Sequence, residues 1–324
     1  MNNNLTNDSK RITNLYELKE ISKQTEEIQK KIENVNNDKT IELFDKKIKI
    51  SELVRKETKL KEILLVGITI DCTDLKEQIE KSIIDYLSLY EINTDKIKEK
   101  LKNIEFYITN ERLSSGGLLS AYSNKVSIDY SLADFDEFGN FVGLKQDKQD
   151  FIRYVMTHEL LHLCSFNGNE SVKDDALSEG FTDLFAQVIS NNFKDRSNRY
   201  DFLVRVCILL TNCMGIKNAL DDYINNLGAF PSLKNLFNLF GLNNKQFIEF
   251  YQKMNNINQI NMIYKNQEEI YNMKLEIITF LKNNIFIPYV KEQEEKERYV
   301  NLFNELFGNI GIYCSLEEVK TNVR

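Results

Sequence analysis

Five consecutive residues of this chain are of the types that a catalytic metal site needs. In His158-Glu159-Leu160-Leu161-His162, two histidines stand four positions apart and a glutamate follows the first. Side chains four apart in an α-helix lie on one face, about one turn apart, so both imidazoles can reach the same cation. Glu159 would lie about 100° around the helix from His158, beside the cation. The spacing predicts a pair of zinc ligands with a general base next to them.

This pattern is difficult to obtain by chance, because His158 and His162 are the only two histidines in 324 residues. Randomly placed histidines would match it in roughly one such chain in a thousand. The opposite face of the predicted helix is apolar and consists of Met156, Leu160, Leu163 and Cys164. We expect that face to be buried and the histidine face to border a cleft. The competing interpretation is two structural histidines beside an incidental glutamate.

A catalytic zinc ion takes a third protein ligand and keeps one position open. Since no third histidine exists, that ligand must be a carboxylate or a cysteine. Glu179 is the best candidate, because it lies in the next predicted helix and Asp183 follows it four residues later. Asp183 would share its face and could orient a ligand imidazole through the free ring nitrogen. The other acidic residues of this region are Glu170, Asp174 and Asp175.

Together these residues resemble the gluzincins, the thermolysin-like clan of zinc peptidases with a His-Glu-x-x-His helix and a glutamate on a following helix. The resemblance extends over roughly residues 104–190. It implies a zincin-like fold and one zinc ion held by His158, His162 and Glu179. It also implies that Glu159 is the general base and that Asp183 orients the ring of His158.

The chain departs from that family in three ways. Glu179 follows His162 by only 17 positions, and Ser178 stands where many relatives carry asparagine. No tyrosine or histidine lies between His162 and Glu179. The motif therefore does not identify the residue that would stabilise the oxyanion. The candidates are Arg199, Tyr200, Arg205 and Tyr223. The Gly-x-Met-Glu-Asn motif of gluzincin aminopeptidases is absent, which favours an endopeptidase.

In such folds the strand before the active helix lies along the cleft and pairs with an extended substrate, main chain to main chain. Ala121-Tyr122-Ser123 and the predicted strand 126–130 occupy this place in the order of the chain. We therefore predict that they bind substrate. The alternative is an ordinary hairpin with an exposed edge.

Apolar patterns along the chain predict three parts and an α+β fold. Residues 1–61 form a helical arm, 62–195 a zincin-like catalytic domain with a small mixed sheet, and 196–324 an all-α domain. Strands are predicted at 63–70, 104–108, 118–122 and 125–130. Helices are predicted at 12–36, 40–61, 73–91, 94–103, 149–164 and 174–192, and throughout the last part.

Composition narrows the partners and the location. The net charge of −7 is spread over interspersed acidic and basic residues, so there is no basic stripe for nucleic acid. No run approaches the roughly 18 to 20 apolar residues of a membrane span, and the first 30 residues lack the apolar core of a signal peptide. Five cysteines without a CxxC spacing suit reduced thiols. We predict a cytoplasmic protein, although some toxin peptidases of the same clan also lack a signal.

These observations favour a zinc-dependent endopeptidase acting on a peptide or protein substrate. Zinc would activate a water molecule, and Glu159 would accept its proton and pass it to the leaving amine. The main alternative is a catalytically inactive zinc-binding module with the same fold. An aminopeptidase and a non-hydrolytic helical protein are further alternatives. The sequence does not specify the oligomeric state.

Overall fold

The computed structural model describes residues 14–38, 40, 42–109, 117–120, 124–166, 175–193, 200–263 and 267–320. Most of them are helical, and the strands form one small mixed sheet and a separate two-stranded hairpin. This agrees with the predicted α+β class. The chain divides into two compact units, Met1–Gln78 with Lys102–Glu159 and Ile79–Leu101 with Leu160–Arg324. The three parts inferred from composition stay a prediction.

The first unit contains two long helices and all six described strands. Its helices are α1 (Leu15–Asn37) and α2 (Leu43–Val66). Its strands are β1 (Ile68–Ile70), β2 (Glu105–Thr109), β3 (Gly117–Ser120), β4 (Lys125–Asp129), β5 (Ala133–Phe135) and β6 (Phe141–Leu144). Two further helices cross the division between the units, α3 (Thr73–Leu89) and α5 (Gln149–Ser165).

The main sheet has the strand order β1-β2-β4-β3. β2 is antiparallel to β1 and parallel to β4, and β3 pairs antiparallel with β4. Successive residues of β4 from Val126 to Asp129 are all buried, so this central strand is covered on both faces. The predicted strand 104–108 and the predicted hairpin are confirmed, whereas β5 and β6 were not predicted.

The predicted strand 63–70 is wrong in its first half, because α2 continues to Val66 and only Ile68–Ile70 is extended. A short continuous apolar run fits a buried strand and a helix equally well, so periodicity cannot separate them. Gly67 makes the change of direction with a positive φ of 57°. A Cβ at this position would collide with the carbonyl of Ile108 in β2, so the helix-to-strand junction requires glycine.

The predicted helices 12–36 and 40–61 correspond to α1 and α2, which pack against each other. In α1 only Leu18 and Thr25 are buried. The start of α1 is tied to the β5–β6 turn, where the amide of Leu15 donates to the carbonyl of Gly139 at 2.8 Å. The hydroxyl of Tyr16 donates to the carbonyl of Glu137 at 3.1 Å. The start of α1 is therefore fixed to the hairpin of its own unit.

The second unit is helical. Its helices are α4 (Asp95–Leu101), α6 (Ala176–Ser190), α7 (Asp201–Met214), α8 (Ile216–Asn225), α9 (Pro231–Leu239), α10 (Asn244–Ile263), α11 (Gln267–Leu281), α12 (Ile287–Lys291), α13 (Lys296–Phe307) and α14 (Leu316–Val319), with a π-helical turn at Lys282–Phe286. Within the described residues no single helix has both the length and the apolar character to cross a bilayer; α7 and α8 have them only as a pair bent by 118°.

Helices α6 and α7 approach each other closely at Gly180. A Cβ at this position would lie 2.7 Å from Sγ of Cys207 and 3.0 Å from the carbonyl oxygen of Leu203. Both distances are shorter than a normal contact between packed atoms. The absence of a side chain at Gly180 therefore sets the spacing between the helix that carries Glu179 and its main packing partner.

We expect Gly180→Ala to lower the free energy of unfolding by about 1–3 kcal/mol, because the added methyl group overpacks the helix contact. This sign is opposite to the ordinary effect of replacing glycine inside a helix, a gain of about 0.5–1 kcal/mol. Urea denaturation measures the change. Gly143→Ala is the control, since a Cβ at Gly143 meets no atom within 4 Å. A Gly180→Ala variant as stable as the control would contradict the close approach.

Candidate metal centre

Helix α5 presents the histidine motif from a buried position. The predicted helix 149–164 is confirmed, and every residue from 154 to 165 is buried. His158 and Glu159 are each 5% exposed and His162 is 3% exposed. The expected contrast between a buried apolar face and an open histidine face is therefore absent. Because the environment is desolvated, a charge placed here interacts more strongly with the motif than it would in water.

The side chains of His158, His162 and Glu179 converge on one point. One ligand atom from each lies within 4.8 Å of the others, and Nε2 of His162 lies 3.6 Å from Oε2 of Glu179. Ligands at the distances typical of tetrahedral zinc would be about 3.4 Å apart. This buried group of two imidazoles and a carboxylate could therefore hold a metal ion. The donor set inferred from the sequence is the one that the fold brings together.

Glu179 owes its position to a well-capped helix start. The carboxylate of Asp175 accepts a hydrogen bond from the amide of Ser178 at 2.8 Å, as an N-cap residue does. The amide of Ala176 donates to Oδ1 of Asn255 at 2.8 Å. The hydroxyl of Tyr251 donates to the Asp175 carboxylate at 2.5 Å. Asp175 is thus a cap, while the two other acidic candidates, at 170 and 174, lie outside the described residues.

Burial raises the pKa of Asp175 to about 6 from its usual 3.8, against the effect of the hydrogen bonds from Ser178 and Tyr251. Above pH 6 the folded chain therefore holds a buried charge that the unfolded chain would keep in water. As the pH falls from 6 to 4, Asp175 takes up a proton in the folded state before it does so in the unfolded state. The contribution of Asp175 to the free energy of unfolding therefore rises as the pH falls. The full gain is on the order of 3 kcal/mol.

Asp175→Asn isolates this effect, because asparagine also caps helices but does not titrate. We expect the free energy of unfolding of the wild type, relative to that of this variant, to increase as the pH is lowered from 6 to 4. Urea denaturation of both metal-free proteins across this range measures the difference. A difference between the two free energies of unfolding that does not change with pH, or that decreases as the pH is lowered, would contradict the raised pKa of Asp175.

A hydrogen-bond network reaches the second nitrogen of the His162 ring. Oγ1 of Thr182 lies 3.4 Å from Nδ1 of His162. The same hydroxyl donates to the carbonyl of Ser178 at 2.8 Å and lies 2.6 Å from the hydroxyl of Tyr223. Both Thr182 and Tyr223 are fully buried. Sequence reasoning missed Thr182, although its position three residues after Glu179 in the same helix was a usable signal.

No family model, curated protein or solved structure matches this chain. The resemblance to the gluzincins therefore depends on the histidine motif, Glu179 and Asp183.

Asp183 is fully buried on α6, one turn beyond Glu179. Its Oδ2 accepts a hydrogen bond from Nε2 of Gln187 at 3.0 Å. Burial of a carboxylate is costly unless hydrogen bonds and nearby positive charge compensate it. The role of Asp183 in orienting His158 stays a prediction.

The candidates for an oxyanion stabiliser have other contacts in the structure. Nε of Arg205 pairs with the carboxylate of Asp201 at 2.8 Å, and its Nη1 donates to the carbonyl of Leu306 at 2.6 Å. The bond to Leu306 connects α7 to the end of α13. The Tyr223 hydroxyl belongs to the network around His162, and Tyr200 is buried. Residue 199 lies outside the described residues.

The substrate-binding prediction requires one correction. The predicted strand 126–130 corresponds to β4, which pairs with β2 on one side and with β3 on the other. Its main chain is therefore not available to a substrate. Among the strands that the structure describes, β3 is at the edge on this side of the sheet. Ala121, Tyr122 and Ser123, which follow β3 in the chain, lie outside the described residues.

A lysine distant in sequence stabilises the end of the histidine helix. Nζ of Lys100 donates to the carbonyls of Cys164 and Phe166, both at 2.7 Å. A cation at a helix C-terminus satisfies carbonyls that have no partner inside the helix and interacts favourably with the helix dipole. No local pattern could have revealed this contact, because Lys100 precedes these carbonyls by more than 60 positions.

Proposed function

We propose that this chain is a zinc-dependent endopeptidase with a zincin-like catalytic fold. The observation that carries the proposal is the convergence of His158, His162 and Glu179 within 4.8 Å. Glu159 is adjacent to His158 on the same buried helix. Two imidazoles, one carboxylate and a neighbouring glutamate are the parts of a hydrolytic zinc site.

The charge of the surroundings supports a cation at this point. Three acidic side chains on the two helices that carry the candidate ligands, Glu159, Glu179 and Asp183, are buried, and the buried residues that the structure describes include no lysine or arginine. A divalent cation would supply positive charge where several carboxylates are withdrawn from water. Imidazole nitrogen with a single carboxylate favours zinc over calcium or magnesium, which prefer oxygen ligands.

In the proposed reaction, Glu159 accepts a proton from the attacking water molecule and transfers it to the leaving amine. When bound, zinc would polarise the scissile carbonyl and make the attacking water more acidic. His158, His162 and Glu179 would hold the ion, and their burial would limit competing water.

A peptide or protein is the proposed substrate. The edge strand β3 has its neighbour β4 on one side, and a peptide could extend the sheet on the other by main-chain hydrogen bonds. The three residues after β3, Ala121-Tyr122-Ser123, would then contribute to the same binding segment.

A zinc-binding module without activity is the second candidate. It is favoured by the contacts of Arg205 and Tyr223, which leave both engaged in the fold rather than offered to a reacting carbonyl. Such a module would hold zinc as the enzyme does. Turnover alone separates the two functions.

Metal analysis of the purified chain combined with a peptide-library cleavage assay tests the proposal. We expect about one zinc ion per chain, internal cleavage of peptides and loss of cleavage after chelation. Zinc without cleavage across a diverse library would favour the inactive module. A chain that binds no zinc would overturn both functions.

A further inference from the structure

We propose that Thr182 and Tyr223 position the imidazole of His162 and set the tautomer that it presents to a metal ion. This inference rests on the proposed zinc site, and it assigns two residues of this chain to that site. The carrying observation is the pair of contacts made by one threonine hydroxyl, 3.4 Å to Nδ1 of His162 and 2.6 Å to the hydroxyl of Tyr223.

Proton counting assigns the direction of each hydrogen bond. The Thr182 hydroxyl has one proton and two lone pairs. Its proton goes to the carbonyl of Ser178, which lies 2.8 Å away in the same helix. Toward Tyr223 and His162 the oxygen is then an acceptor, so Tyr223 donates its hydroxyl proton and His162 donates from Nδ1. This arrangement uses the full bonding capacity of the Thr182 hydroxyl.

The tautomer follows from these directions. With the proton on Nδ1, the lone pair of the neutral His162 ring is on Nε2. Nε2 is the nitrogen that lies 3.6 Å from the Glu179 carboxylate, on the side where the candidate ligands converge. Residues that hold the second nitrogen of a ligand histidine fix its orientation and typically change metal affinity by roughly 10- to 100-fold when replaced.

Tyr223 is held in turn by its own surroundings. Its ring lies 5.5 Å from that of Phe185 and 6.4 Å from that of Phe181, both on α6. Oγ of Ser165, at the end of α5, lies 3.1 Å from the carbonyl oxygen of His162 and also interacts with the Tyr223 hydroxyl. A ring fixed by aromatic neighbours can keep its hydroxyl on Thr182 at little entropic cost.

The test compares zinc affinity in Thr182→Val, which keeps the volume and removes the hydroxyl, with Thr182→Ser, which keeps the hydroxyl. Thr157→Val is the matched control, because the Thr157 hydroxyl is also buried and donates to a carbonyl of its own helix, that of Arg153 at 2.7 Å. We expect Thr182→Val to weaken zinc binding by roughly 10- to 100-fold. Thr182→Ser and Thr157→Val should stay near the wild type.

Imidazole nitrogen NMR supplies a readout that loss of packing would not move. Since the chain has only two histidines, ¹⁵N-histidine labelling yields two ring systems. In wild-type protein loaded with ¹¹³Cd, we expect metal coupling to Nε2 of His162 and a protected proton on Nδ1. Thr182→Val should make that proton exchange faster with water, and Thr182→Ser should restore it. Tyr223→Phe should also make the Nδ1 proton exchange faster, by a smaller factor. If Thr182→Val does not fold, Tyr223→Phe takes its place in the test.

The outcomes separate this inference from the proposed function. Zinc binding equal in Thr182→Val and Thr157→Val, with an unchanged Nδ1 proton, would overturn the positioning role and leave the zinc site intact. Coupling to Nδ1 instead of Nε2 would also overturn it. A wild type that binds neither zinc nor cadmium would overturn the proposed function. In that case the positioning role is tested on the metal-free protein, and identical His162 ring signals in the wild type and Thr182→Val would overturn it.

Discussion

Glu159→Gln is expected to reduce peptide hydrolysis by roughly 10²- to 10⁴-fold, the usual contribution of a general acid–base residue. The amide has the size of the carboxyl group but cannot accept a proton from water. Glu159 is not one of the three converging ligands, so zinc occupancy and the unfolding midpoint should remain close to those of the wild type. Cleavage of a fluorogenic peptide, zinc content and thermal unfolding are measured on the same preparations.

Glu249→Gln provides the control for the loss of one negative charge, since Glu249 lies on the surface of α10 and pairs with Lys245. It should have wild-type activity. Undiminished cleavage in Glu159→Gln would show that another residue, or a contaminating peptidase, performs the reaction. Equal inactivity of the wild type and Glu159→Gln, with zinc present in both, would favour the non-catalytic module.

Glu179→Gln is expected to weaken zinc binding by more than the roughly 10- to 100-fold typical of residues that only orient a ligand. The neutral amide removes both the negative charge and a strong oxygen donor from the converging group. Asp183→Asn should fall within that 10- to 100-fold range, and replacing His158 and His162 together with alanine should abolish binding. Competition with a fluorescent chelator orders the variants.

Asp175→Asn is the matched control for Glu179→Gln. It neutralises a carboxylate of the same helix start, yet it preserves the cap on the amide of Ser178. Its zinc affinity should remain near that of the wild type. The reverse order, with Asp175→Asn weaker than Glu179→Gln, would show that the ligand carboxylate had been misidentified. Retention of full zinc content by the double histidine variant would remove the basis for the site.

Local spacing in the sequence was sufficient to identify the residues that carry the candidate chemistry. His158 and His162 lie four apart in a segment of helical pattern, and helix geometry alone places their rings on one face. Glu179 could be selected from its neighbours because it combined a predicted helix with an acidic residue one turn later. The hairpin of β3 and β4 and the helices around the motif were equally readable, because their periodicities are local properties of the chain.

Local patterns failed where the answer depended on partners distant in sequence. The run at 63–66 is apolar in either conformation, and only the position of Gly67 against Ile108 shows where helix ends and strand begins. Likewise, β4 is unsuitable for a substrate because it has neighbours on both sides, and strand order is a tertiary property.

The contacts around the candidate ligands also depend on residues that are distant in sequence. The sequence by itself determined the donor types, their helical spacing and the mixed α+β class, because these follow from backbone periodicity and side-chain chemistry. Tertiary structure decided that the histidine face is buried and that Thr182, which contacts Tyr223, reaches the ring of His162. Such contacts join residues about 20 to 40 positions apart, and only packing of the whole helical unit brings their hydroxyl groups within hydrogen-bond distance.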